Sequence, residues 1–177
     1  FVFFTIAPGK PKVGVIDVPF TVLTDDTAFV IAEFLHYAGR RDDIKAVVIK
    51  LNSPGSVGAA GDLLYLETRK LREKKPVVIA MNDVVASGAF MWSMGANYTY
   101  AKPTSWVGSV GVFIQFFVGP PVIPVTPDRE GSELEAIGTG PQKLTGGGSR
   151  RDFLGILEQL KENFYQTVAA ERGERLQ

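Results

Sequence analysis

The stretch Pro76-Val77-Val78-Ile79-Ala80-Met81, continuing into Asn82-Asp83-Val84-Val85-Ala86-Ser87-Gly88-Ala89-Phe90, decides how the chain is read. Its first half is an apolar, β-branched run and predicts a strand over 77–81. A helix-compatible run of small and apolar residues leaves it, over 89–96. Between them a Ser-Gly pair stands where a strand turns into a helix. A hydroxyl there lies beside unbonded backbone N–H groups and the positive end of the helix dipole. Two uses fit Ser87: a helix N-cap, which serine at such a position commonly is, or a nucleophile whose reaction partner develops negative charge next to those N–H groups.

Outward from this turn, strand and helix signals alternate at short spacing. Residues 12–18 (KVGVIDV) read as a buried strand. Thr24-Asp25-Asp26 offers a helix cap, and Ala28, Ile31, Ala32, Leu35 and Ala38 recur at helical spacing up to Gly39. Residues 44–51 follow as a β-branched strand central in a sheet. The turn-forming cluster Asn52-Ser53-Pro54-Gly55-Ser56-Val57-Gly58 comes next, then a helix over 58–73 with Leu63, Leu64, Leu66 and Leu71 as its apolar face. Beyond Ser87 the expectations are a short strand over 98–101, a turn over 102–105 and a glycine-interrupted strand over 106–113. Five prolines and seven glycines make 118–148 an excursion that ends in a glycine-rich loop. Ser149 opens a final helix over 150–172, with Phe153, Ile156, Leu157, Leu160, Phe164 and Val168 as a stripe for core or subunit contact. The class is therefore α/β with a largely parallel sheet, and nothing divides residues 1–177 into more than one domain.

Composition narrows the chemistry. The 177 residues carry nineteen basic and nineteen acidic side chains, so no basic excess suggests a nucleic-acid partner. Cysteine is absent and there is one histidine, which excludes disulfides, thiolate or multi-histidine metal sites and a cysteine nucleophile. No cofactor is called for. No segment reaches the roughly 18 consecutive apolar residues of a membrane span. The opening Phe1-Val2-Phe3-Phe4-Thr5-Ile6-Ala7 reads equally as the end of a membrane anchor or as a first strand.

A nucleophilic serine needs a base. His36 lies among Phe34, Leu35 and Tyr37 on the first helix and reads as a surface or packed histidine. A lysine is the remaining common base, and it must be held neutral in a partly desolvated place. Lys10, Lys12, Lys70, Lys74, Lys75 and Lys161 read as solvated charges. Lys143, between Pro141 and the glycines of 146–148, is a candidate, although its position by itself suits an exposed loop lysine equally well. Oxyanion donors would come from Gly88, at the helix start, and Gly55, in the turn after the 44–51 strand. Two neighbouring strand ends bring such turns together at the carboxyl edge of an α/β sheet. Gly108 to Gly111 could then offer an edge against which an extended peptide pairs.

Asn-Ser-Pro-Gly (52–55), Ala-Ser-Gly-Ala-Phe (86–90), Thr-Ser-Trp-Val-Gly-Ser-Val-Gly-Val (104–112) and Gly-Pro-Gln-Lys (140–143) occur here in order. In that combination the chain resembles the signal peptide peptidase A family of Ser-Lys proteases, over nearly all of its length from Lys12. The resemblance implies the fold of Clp protease and the crotonases, built of repeated β-β-α units. It makes Ser87 the nucleophile and Lys143 the general base, with Gly55 and Gly88 as the oxyanion hole. Ser109 would help position Lys143, and Gly108, Gly111 and Val112 would support the substrate, with Ala89 and Met91 suiting small or hydrophobic pockets. Arg150 and Arg151 match a basic position beyond the lysine. Hydrophobic peptides, such as cleaved signal peptides and membrane-protein fragments, are the implied substrates. A ring-like homo-oligomer and an upstream membrane anchor are implied too, with the catalytic domain on the extracytoplasmic side of a prokaryotic plasma membrane. Two departures stand out: Ser56 occupies the last position of the family's Ser-Pro-Gly-Gly, and family members continue past residue 177 with a further strand and helix. The alternatives are a crotonase-type acyl-CoA enzyme, disfavoured because Asp83 is the one acid beside Ser87, and an inactive membrane-associated scaffold of the same fold.

Overall fold

The computed structural model describes residues 11–112 and 154–173 in full and the backbone of 2–3 and 150–153. The strands are β1 (Val2–Phe3), β2 (Lys12–Val18), β3 (Ile44–Ser53), β4 (Val77–Ala86), β5 (Tyr98–Ala101) and β6 (Trp106–Gly108), and the helices are α1 (Asp25–Arg40), α2 (Ala60–Arg72), α3 (Gly88–Ser93) and α4 (Arg150–Arg172). They form one six-stranded sheet in the order β1-β2-β3-β4-β5, with β6 also on β4. Among the described residues every pairing from β2 onward is parallel, and β1 alone runs antiparallel to its neighbour. The expected α/β class with a largely parallel sheet holds. The chain divides into two compact units, Phe1–Gly111 with Phe164–Gln177 and Val112–Asn163.

One face of the sheet makes the core. Ile16, Val18, Val47, Ile49, Leu51, Val77, Ile79, Met81 and Val85 alternate along three adjacent strands and are buried, as the two-residue period of a strand requires. Helices cover that face. Ala28, Ile31, Ala32, Leu35 and Ala38 are the buried stripe of α1, the same five that the periodicity picks out. Full burial of a side chain the size of Ile31 or Leu35 contributes about 1.5–3 kcal/mol.

Caps and ion pairs fix the ends. Thr24 and Thr27 close a reciprocal capping box at the start of α1, where Asp25 and Asp26 face the positive end of the dipole. At its other end the Lys75 ammonium donates to the carbonyls of Ala38 (2.6 Å) and Arg41 (2.5 Å). Lys12 bonds the Asp43 carboxylate at 2.7 Å with its side chain only 17% exposed. Both lysines thus depart from the expectation of freely solvated charge, because each has a local acceptor to satisfy. Hydrogen bonds from Arg41 and then Lys12 hold the Asp43 carboxyl well below the usual carboxylate range. His36 lies on α1, with Nε2 2.7 Å from Glu67 of α2, and so serves a helix–helix contact.

Helix α2 corrects the sequence reading. Leu64 and Leu71 are buried, but Leu63 and Leu66 are exposed, and the inward face is completed by Ala60, Gly61, Tyr65 and Thr68. On α4, among the stripe residues whose side chains are described, Phe164 is buried, while Ile156 and Leu160 are exposed. The C-terminal turn of α4 is anchored by Glu171, whose carboxylate accepts from Arg72 (2.8 and 3.0 Å) and from the Tyr65 hydroxyl (2.8 Å). Burial alone would raise the Glu171 carboxyl, but those hydrogen bonds and the charges of Arg72 and Arg172 outweigh it, and its pKa lies below the ordinary 4.5. A carboxyl depressed in the folded state stabilises above its unfolded pKa, and that contribution is lost as pH falls through the folded value. Melting temperature should therefore drop as pH is lowered below about 4.5, and Glu171→Gln should flatten that acid limb. An unchanged limb in the variant would show that the carboxylate is not a source of it.

Candidate functional site

Three strand ends converge on Ser87. Strand β4 does not stop at Met81 but runs to Ala86, because Ser53 of β3 pairs with Val85 on one side and β6 pairs with 84–86 on the other. The serine follows at once, and its amide donates to the Gly108 carbonyl at 2.8 Å, in line with β6. Ser87 adopts φ 49° and ψ −128°, and its side chain makes no cap bond to α3. The N-cap reading is thereby overturned: a capping serine sits in the β region with its hydroxyl turned back on the helix N–H groups. A non-glycine residue at positive φ is strained and persists where its surroundings over-determine it. Here the Ser87 carbonyl also accepts from Met91 at 3.0 Å, opening α3 immediately after the serine.

Gly55 lies against this turn. It has φ 148°, and a Cβ built on it would stand 3.1 Å from the Ser87 Cβ and 3.5 Å from its Oγ. Position 55 therefore needs glycine both for its backbone angle and for the close approach. The buried Ser53 hydroxyl donates to the Gly55 carbonyl at 3.0 Å and accepts from the Gly55 amide at 3.2 Å. Leu23 brackets the same loop: its amide donates to Gly55 O and its carbonyl accepts from Val57, both at 2.9 Å. Asn52 Oδ1 accepts from the Val84 amide at 3.1 Å, stitching β3 to β4 where their register shifts. Ser53 and Asn52 are supporting residues that the sequence places in a turn-forming cluster, and Leu23 is one that no sequence signal marks.

The remaining predicted positions fall as follows. Gly88 is the first residue of α3 and half-buried. Gly108, with φ 118°, ends β6, and the exposed Ser109 follows at φ 54°. These two positive angles explain why the expected strand over 106–113 ends at Gly108. Gly111 is half-buried, and Val112 is exposed. Ala89 and Met91 are buried and present little surface to a ligand. Asp83 is exposed and pairs with Lys102 at 3.2 Å. Lys143 lies outside the described residues, as do Phe113 and the excursion over 118–148. Among the described residues no group of His, Asp and Glu could hold a metal ion, and no helix is long and apolar enough to cross a membrane.

A strained serine at a strand-to-helix turn, closely backed by a glycine from the neighbouring strand end, lies at the centre of the sequence likeness. The profile of peptidase family S49 matches residues 69–121. The chloroplastic serine protease SPPA of Arabidopsis thaliana is 43% identical over 68 residues, covering 38% of this chain and 10% of that protein. Protease 4 of Haemophilus influenzae is 31% identical over 112 residues, covering 59% of this chain and 18% of that protein. Over these stretches the chain is similar to the signal peptide peptidase A family. It spans less than a fifth of the length of these two relatives. Among solved structures, a mutant ClpP1 of Listeria monocytogenes superposes with a TM-score of 0.60 at 13% identity, over 90% of this chain and 72% of that one. A membrane-bound stomatin-specific protease superposes at 0.55 with 18% identity, over 67% and 57%. The two superpositions establish the Clp-like fold for this chain.

Proposed function

We propose that this chain is the nucleophile-bearing part of a serine peptidase that cleaves hydrophobic peptides, with Ser87 as nucleophile and Lys143 as general base. The observation that carries the reading is the Ser87 turn. Its hydroxyl is freed from capping by a positive φ, and the start of α3 and the Gly55 loop stand against it. In the reaction Lys143, neutral, takes the Oγ proton as Oγ attacks the scissile carbonyl carbon. Negative charge then builds on the carbonyl oxygen, where the Gly88 amide and the 55–56 loop supply backbone donors. The protonated lysine returns its proton to the leaving amine, and water, deprotonated by the same lysine, releases the acyl group.

The peptide would lie extended along 108–111, next to the edge of the sheet that β6 forms. Ser109 would orient the lysine. The family resemblance further supports a membrane-anchored protein working on the extracytoplasmic side, on signal peptides or membrane-protein fragments, as a ring of copies. Exposed Leu154, Ile156 and Leu160 on α4 suit contact between such copies.

The test is exposure of the folded protein to a fluorophosphonate, followed by peptide mass mapping. A single adduct on Ser87, absent in Ser87→Ala, is expected. An intact, folded protein that takes no adduct, or takes it elsewhere, would reject Ser87 as nucleophile.

A further inference from the structure

Ser56, the residue at which this chain leaves the Ser-Pro-Gly-Gly pattern, is locked into the nucleophile turn. A Cβ built on Gly88 would stand 1.9 Å from Ser56 Oγ, 2.8 Å from Ser56 Cβ and 3.1 Å from Ser56 N. The Ser56 side chain thus occupies the space that a side chain at position 88 would need, with its hydroxyl against the Gly88 Cα. Rotating that hydroxyl away does not open the space, since the Ser56 Cβ would remain too close. Gly61, in the first turn of α2, closes the other side: a Cβ there would lie 2.7 Å from the Gly88 carbonyl oxygen and 2.9 Å from Ser56 Oγ. The Ser56 backbone is fixed in turn by the bridge that Leu23 makes with its loop.

We infer that Ser56 is a positioning residue for the reaction proposed above: its side chain wedges against Gly88 and fixes the peptide plane between Ser87 and Gly88. The orientation of that plane is the Ser87 ψ of −128°, and it sets the direction of the Gly88 N–H beside the strained Ser87 φ of 49°. A strained conformation survives only where its neighbours leave no other, and at Gly88, free to rotate for want of a side chain, Ser56 supplies that restriction. The inference rests on the serine-peptidase reading, since the N–H it aims is the proposed oxyanion donor. A displacement of about 1 Å at such a site costs on the order of 100-fold in rate.

The test is a mutant cycle between positions 56 and 88, read as the second-order rate of fluorophosphonate labelling at Ser87 together with the melting temperature. Gly88→Ala should slow labelling about 100-fold, because its methyl group must displace the Ser56 side chain. Truncating Ser56 in that background should restore the rate in order of space released, Ser56→Gly more than Ser56→Ala. Ser56→Gly alone should slow labelling of the folded protein, because the wedge is gone. A merely structural role would move the melting temperature and leave the labelling rate of folded protein unchanged. Additive effects, with Gly88→Ala equally slow whatever occupies position 56, would overturn the positioning role. So would rescue confined to the melting temperature. A wild-type protein that takes no label would instead overturn the peptidase reading, and the positioning role with it.

Discussion

Replacing Lys143 by alanine is expected to slow acylation of Ser87 by about three to six orders of magnitude, the loss typical when one member of a nucleophile–base unit is removed. The size follows from the roles. A serine hydroxyl is a weak nucleophile at neutral pH and attacks at a useful rate only as its proton leaves to a positioned base. His36 offers no substitute, being bonded to Glu67 on the contact between α1 and α2. Asp83 is exposed and paired with Lys102. The pH dependence gives a second readout. An ammonium cannot accept a proton, so the rate should climb as the lysine loses its charge and level off above its pKa. A free lysine titrates near 10.4, and a partly desolvated one lower. Fluorophosphonate labelling followed from pH 6 to 9 should rise in the wild type and be flat and slow in Lys143→Ala. A wild-type rate that is level over that range, or a variant as fast as the wild type, would remove lysine from the mechanism.

Where local pattern alone determines structure, the sequence was a sufficient guide. The α1 stripe and its Thr24 cap are set within a few residues, and they were read correctly from spacing. The site's main features were also legible, because a Ser-Gly pair after an apolar strand and a Pro-Gly turn after its neighbour are short-range signals. Failures came where a partner decides. Asn82 and Asp83 interrupt the apolar run, yet β4 continues through them, because Ser53 and β6 supply ladder partners on both sides. Leu63 and Leu66 look like core on a helical wheel, but α2 is rotated to bury Tyr65 and Thr68, and the reason Thr68 belongs inside is an indole on another helix. Ser56 is the sharpest case. Its meaning lies in a contact with Gly88, thirty-two residues on in the chain, which no local pattern encodes.

That indole, Trp92, leads to the largest expected effect on stability. Trp92 sits on α3, the six-residue helix that Ser87 opens, and an isolated helix of that length has almost no stability of its own. What holds it is packing. Trp92 is completely buried within the core cluster, and its Nε1 donates to Thr68 Oγ1 of α2 at 2.8 Å. Trp92→Ala should lower unfolding free energy by about 3–5 kcal/mol, the usual cost of emptying a buried aromatic site. That is a large part of the 5–15 kcal/mol available to a typical domain. Trp92→Phe keeps most of the volume but loses the indole donor. It should cost about 1–3 kcal/mol, because the Thr68 hydroxyl is left buried without its partner. Adding Thr68→Val to Trp92→Phe should return part of that loss, since removing both polar partners is far less costly than removing one. Urea unfolding followed by far-ultraviolet circular dichroism measures all three without relying on tryptophan fluorescence. Should Trp92→Ala unfold within 1 kcal/mol of the wild type, the anchor for α3 would have to lie elsewhere. A Trp92→Ala protein that stays folded but labels slowly at Ser87 would show the same anchor acting on the nucleophile turn, because the helix it holds begins with the Gly88 amide.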